Sequence, residues 1–127
     1  MGLRVFVYFN LHKHVWSIKA LDGPNKGRVV AHAANVWLDN AAPRVSQSGR
    51  TRVLRERKKN VHAGITGVFH SCDNGPAIPQ PHRWSKARYN PYEGPCFTLS
   101  GPSVAVEWPE DIYADRVVMS HKQVFVN

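Results

Sequence analysis

The stretch that most constrains this fold is Val61 to His70, VHAGITGVFH. In an extended chain Val61, Ala63, Ile65, Gly67 and Phe69 share one face, with His62, Gly64, Thr66, Val68 and His70 on the other. No helical period fits the run, so it reads as a central strand, and its two glycines leave room for a close backbone neighbour, a bulge or a ligand.

The flanking segments agree with a sheet. Arg4–Asn10 and His14–Leu21 are rich in β-branched and aromatic residues, read as two strands joined at Asn10–Lys13, and are followed by a turn at Asp22-Gly-Pro-Asn-Lys-Gly27 and a third strand at Arg28–Ala33. Asn35–Leu38 is expected as a short fourth strand, broken by Asp39-Asn-Ala-Ala-Pro43, with Arg44–Ser46 extended beyond it. Ser71–Ser85 carries three prolines and reads as a long loop. Ala87–Tyr92 and Cys96–Leu99 are the next strands, and Arg116–Met119 with Gln123–Val126 form a closing hairpin across Ser120-His-Lys122. Nine glycines and nine prolines in 127 residues suit such a loop-rich β protein. The expected architecture is a single domain over residues 1–127, mostly β, a small antiparallel β-barrel or sandwich with one or two short helical turns.

Charge supplies the functional lead. Between Arg44 and Lys59 stand seven of the seventeen Lys and Arg residues against one acid, Glu56, and six of the seven lie in Arg50–Lys59. Solvated faces often carry such runs, but this one is single-signed and rich in arginine, whose planar fork holds phosphate or carboxylate through paired hydrogen bonds. Its conformation reads as a strand ending in an irregular or helical turn, with Ser48 and Asn60 as the caps available to a helix. A second basic segment interleaves aromatic rings: Trp84, Tyr89 and Tyr92 stand among Arg83, Lys86 and Arg88. Aromatic planes stack bases while cations hold phosphates. The one acidic segment, Ser100–Asp115, with Glu107, Glu110, Asp111 and Asp115, is placed to shield part of the basic surface or to face a partner subunit.

Chemistry needs more than the chain displays. GxSxG, the P-loop, GxGxxG, HExxH and the zinc-deaminase pattern are all missing. His70, Cys72, His82 and Cys96 offer four possible zinc ligands without an anchoring CxxC or HxxxH pair, and His12-x-His14 reads as a surface pair, so no metal or other cofactor is expected. A metal-independent ribonuclease using Glu56 and His62 is the enzymatic reading that survives, and the leaning is toward no catalysis. The apolar run at the N-terminus is too short to span a membrane and reads as the first strand, and two cysteines without an export signal point to a reducing cytoplasm.

The order VYFNLHK, SQSGRTRVLRERKKNVHAGITG, ARYNPY and VFVN resembles a family of small bacteriophage-encoded proteins described as conserved hypothetical proteins. That resemblance implies a protein acting in the cytoplasm of an infected bacterium and supplies no catalytic residues. By analogy of role, some small phage proteins sequester the nucleotide signals of antiviral systems, cyclic oligonucleotides or ADP-ribose derivatives. The expected function is therefore non-catalytic binding of a phosphate-containing ligand. Arg50, Arg52, Arg55, Arg57, Lys58 and Lys59 would hold phosphates, His62 and Asn90 would hydrogen-bond, and Tyr89 or Tyr92 would stack the base. The expected partner is a nucleotide-type small molecule, with RNA or DNA and an acidic host protein as alternatives, no membrane, and a homo-oligomer as the assembly.

Overall fold

The computed structural model describes residues 2–10, 13–56, 63–81, 83–89, 97–100 and 105–127. Among these residues ten strands form one antiparallel sheet: β1 (Arg4–Asn10), β2 (Val15–Ala20), β3 (Val29–Ala33), β4 (Asn35–Val45), β5 (Ala63–Asp73), β6 (Ser85–Tyr89), β7 (Phe97–Ser100), β8 (Ala105–Glu107), β9 (Ala114–Ser120) and β10 (Gln123–Val126). Among the described residues there is one helix, α1 (Gln47–Glu56), which follows β4. The spatial order is β3-β2-β1-β5-β4-β9-β10-β6-β7-β8, so the ladder is continuous and β3 and β8 stand at its two ends. The mostly-β antiparallel class expected from the alternating segments is borne out.

Register decides which side chains meet. Val5, Val7 and Phe9 lie opposite Ala20, Ile18 and Trp16 on β2, while Val5 and Val7 also face Gly67 and Ile65 on β5. The same inner face continues through Leu38 of β4 and Val117 and Met119 of β9 to Val124 and Val126 of β10, then Ala87 and Phe97. Residues from both halves of the sheet share one buried cluster, from Val5, Trp16 and Ile18 at one end to Ala87, Phe97 and Trp108 at the other. The sheet therefore coils over its own inner face. Removing this apolar surface from water is the main force holding the coil.

Two expectations are corrected. β4 is not broken at Asp39–Pro43: it runs unbroken from Asn35 to Val45 and takes up the irregularity as shifts of register at Trp37/Leu38 and Asp39/Ala42, with Asn40 at φ 47°. Asparagine tolerates that left-handed conformation better than most residues. Pro43 is accommodated because β4 pairs with β9 only as far as Ala41. The Val45 amide, which points the same way as the Pro43 nitrogen, donates to Glu110 Oε1 at 2.6 Å and not to β5. Proline at 43 thus removes no ladder donor.

The second correction is the basic run, which over its described residues, as far as Glu56, is helical where a strand ending in an irregular or helical turn was expected. Every described side chain of α1 is exposed, so no alternating apolar face was there to bury as a strand. Leu54, Arg52 and Arg55 are good helix formers, and Arg52 Nε meets Glu56 Oε2 one turn on, at 3.0 Å. The helix begins at Gln47, so Ser46, not Ser48, stands just before its first turn, with the two hydroxyls 3.1 Å apart. Asn60 lies outside the described residues. β5 also extends to Asp73, three residues into the segment read as loop, and β8 with the buried Trp108 comes from the acidic segment, where no strand was expected.

Candidate functional site

Where the two halves of the coiled sheet approach each other, a cleft of about 530 Å³ opens. That size lies within the range of about 300–1,000 Å³ usual for small-molecule sites. Phe9, Trp16, Ala63 and Ile65 line it from the β1-β2-β5 half; Ala87, Tyr89, Phe97 and Val124 line it from the β6-β7-β10 half. Each wall carries an aromatic pair. Phe9 and Trp16 face each other across the β1–β2 ladder with ring centroids 5.2 Å apart in an edge-on arrangement. Tyr89 and Phe97 face each other across β6–β7 at 5.0 Å, tilted by 33°. Such a cleft presents ring faces and edges to a flat aromatic guest.

Basic side chains sit around the aromatic walls. His14, in the β1–β2 turn at φ 57°, and Lys122, in the β9–β10 turn, both line the cleft and are exposed. Lys86 and Arg88 also contribute to the wall. They alternate with Ala87 and Tyr89, which directs their side chains toward the other face of the sheet, so Lys122 and His14 are the cleft's own basic groups.

The residues singled out in sequence divide sharply. Tyr89 lies in the cleft. Arg52 and Arg55 are exposed on α1, and Arg52 is engaged by Glu56; Arg50 belongs to the same helix. Neither Arg52 nor Arg55 lines the cleft. Arg57, Lys58, Lys59, His62, Asn90 and Tyr92 lie outside the described residues. The basic run nevertheless leads in sequence to Ala63 and Gly64, which form part of the cleft wall. Phe9, His14, Trp16, Phe97 and Lys122 were missed. Phe9 and Trp16 were findable, since folding the chain about Asn10–Lys13 sets them opposite one another; nothing local signals that β1–β2 will meet β6–β7.

Ser17 and His32 are residue types that serve in catalysis, and they meet away from the cleft. Ser17 Oγ lies 3.0 Å from His32 Nδ1, while Asn10 Nδ2 donates to the same hydroxyl at 3.2 Å. Lys13 Nζ lies 3.4 Å from His32 Nε2, and an ammonium can only donate, which places the ring proton on Nδ1, pointing at Ser17. A histidine so arranged gives Ser17 a hydrogen bond and cannot remove its proton, and Ser17 is fully buried. Among the described residues no three His, Cys, Asp or Glu side chains come together as a metal site. Glu56, the base of the ribonuclease reading, is an exposed helical residue paired with Arg52.

Fold and cleft together define an antiparallel β protein with an aromatic, cation-flanked pocket. The family model described as Mycobacterium phage L5 gene 82 protein matches residues 1–127, and the chain belongs to that family. It is 40% identical over 128 residues to the Gene 82 protein of Mycobacterium phage L5, covering 96% of this chain and 94% of that protein. The phage family expected from the VYFNLHK and RERKKNVHA segments is thus borne out. No solved structure matches the chain. Among the described residues no helix is long and apolar enough to cross a membrane.

Proposed function

We propose that this phage protein binds, without transforming it, a ligand that joins an aromatic ring to phosphate, and that in the infected bacterium it sequesters a nucleotide immune signal of the cyclic-oligonucleotide or ADP-ribose type. The observation that carries the reading is the cleft, with the Phe9–Trp16 and Tyr89–Phe97 pairs on opposite walls and Lys122 and His14 beside them. Rings stack a base and cations take the phosphate, a division of labour common to nucleotide and single-strand sites. Two open sheet edges, with Val29 and Val30 of β3 each 42% exposed, favour a homo-oligomer.

Calorimetric titration with the four ribonucleoside 5′-monophosphates, ADP-ribose and cyclic di-AMP tests this, with chromatography of the recovered ligand. The expected result is saturable binding by at least one of them, weakened about tenfold or more by Tyr89→Ala or Lys122→Ala, with the ligand recovered intact. Cleaved ligand would move the reading to an enzyme. Binding only of long RNA or DNA would favour the alternative that the exposed arginines of α1 support, a nucleic-acid-binding protein.

A further inference from the structure

Trp16 is 93% buried by its 7% exposure, lines the cleft, and has an indole nitrogen that no acceptor among the described residues reaches. Folded proteins rarely leave a buried donor unpaired, so one that also lines a cleft points to a partner that enters there. Among the described residues its surroundings are apolar: Phe9 stands edge-on to the ring, Ala33 lies opposite it on β3, and Ile18 belongs to the same apolar cluster. Trp16 thus joins a hydrogen-bond donor to a stacking plane on the β1–β2 wall.

We infer that Trp16 Nε1–H is the donor that recognises the ring of the ligand, so that the cleft selects a heteroaromatic ring with an in-plane acceptor, such as a nucleobase ring nitrogen or carbonyl, over a hydrocarbon ring of the same size. The inference rests on the cleft being a nucleotide site. A small rocking of the indole toward the cleft brings Nε1 to the entering ring, and the guest then pairs a donor that has no acceptor among the described residues. A ring without an acceptor leaves that donor as it was. Discrimination of this kind is strong where a site is built to hydrogen-bond its guest, because the wrong guest leaves a buried polar group unpaired. Lys122 and His14 then meet the phosphate, which fixes the guest's orientation: ring toward Trp16, anion toward the two turns.

The test is nitrogen–proton correlation spectroscopy of the indole groups, using the same four mononucleotides, ADP-ribose and cyclic di-AMP, with inorganic phosphate and naphthalene sulfonate as controls. The chain has four tryptophans, so the Trp16 signal is assigned by elimination from Trp37→Phe, Trp84→Phe and Trp108→Phe spectra, which avoids dependence on a Trp16 variant. Expected is a downfield shift of the Trp16 indole proton with a bound nucleotide and none with naphthalene sulfonate. Trp16→Phe, which keeps a stacking ring, should weaken the nucleotide about five- to tenfold and leave naphthalene sulfonate within twofold. A nucleotide that binds and shifts Tyr89 and Phe97 while the Trp16 indole signal stays put overturns the assignment and leaves the binding reading standing. If none of the six nucleotides perturbs any cleft residue at millimolar concentration, both fall together.

Discussion

The Ser120 hydroxyl donates to Asn35 Oδ1 at 2.7 Å, joining the start of β4 to the end of β9 through two side chains buried to 1% exposure or less. The pair anchors a larger network. Asn35 Nδ2 donates to Asp73 Oδ1 at 2.8 Å and to the Gly75 and Pro76 carbonyls at 3.2 Å, and the Ile78 amide donates to Ser120 Oγ at 2.7 Å. The proline-rich segment after β5 is therefore fastened to the sheet through Asn35 and Ser120, with the Ala34 amide donating to Asn74 Oδ1 at 3.0 Å and His121 Nε2 3.2 Å from the Gly75 carbonyl beside them. Asn35→Leu strands the Ser120 hydroxyl and two carbonyls, and should lower unfolding free energy by about 2–4 kcal/mol in urea denaturation. Ser120→Ala should cost about 1–2 kcal/mol, and the double variant less than the sum, because both changes break one network. Strict additivity would mean the two side chains act independently.

Asp73 gives the same network a pH dependence. The Asn35 amide first, and then the Gly75 amide at 2.9 Å, favour its ionised form and hold its carboxyl below the ordinary aspartate range. A group whose acidity is raised by folding stabilises the fold above its unfolded pKa, and that contribution fades as pH falls through the lower folded value. Melting temperature followed from pH 6 down to pH 2 should therefore fall more steeply below about pH 4 in the wild type than in Asp73→Asn. Parallel curves for the two proteins would show that Asp73 contributes nothing to the acid limb.

Gly64 separates a steric requirement from a conformational one. A methyl group there would run into the Val7 carbonyl oxygen and the tip of the Phe6 ring, and backbone cannot step aside as a flexible side chain can. Gly64→Ala should cost about 2–3 kcal/mol by overpacking. Gly23, at φ +78° in the β2–β3 turn with open space around it, should lose about 1 kcal/mol as Gly23→Ala, through backbone strain alone. Thermal unfolding of both variants checks the order; equal losses would show that β1 and β5 can separate to admit a side chain.

These positions also show what was legible in sequence. Alternation is a local property, so Arg4–Asn10, the Gly23 and Gly27 turn, and the hairpin ending in Gln123–Val126 all follow from short windows. The Asp39–Pro43 break misleads because a bulge and a proline beside a departed neighbour are settled by β5 and β9, not by the segment itself. Helicity in α1 turns on the lack of a strand partner, which is equally invisible locally. The site follows the same division: Tyr89 stood out among basic residues, whereas Lys122 and Phe9 reach the cleft only because a ten-strand ladder coils. The basic run drew attention by charge, and charge locates no cavity.

Salt dependence decides what α1 does. A nucleotide held in the cleft by Lys122 and His14 neutralises few phosphates, so its affinity should fall only gently with salt, with a log–log slope of about −1 to −2. Arg52→Gln with Arg55→Gln, changing exposed side chains that line no part of the cleft, should leave both that affinity and that slope unchanged. The exposed Arg52–Glu56 pair adds little to folding, so Glu56→Gln should move stability by less than about 0.5 kcal/mol. Polynucleotide binding along the helix predicts the opposite pattern. Affinity would then drop steeply with salt, and each arginine removed would reduce the slope by about one. Titrating a mononucleotide and a single-stranded 20-mer into wild type and the double variant at two or three salt concentrations separates these outcomes, because the cleft and the helix are changed by different substitutions.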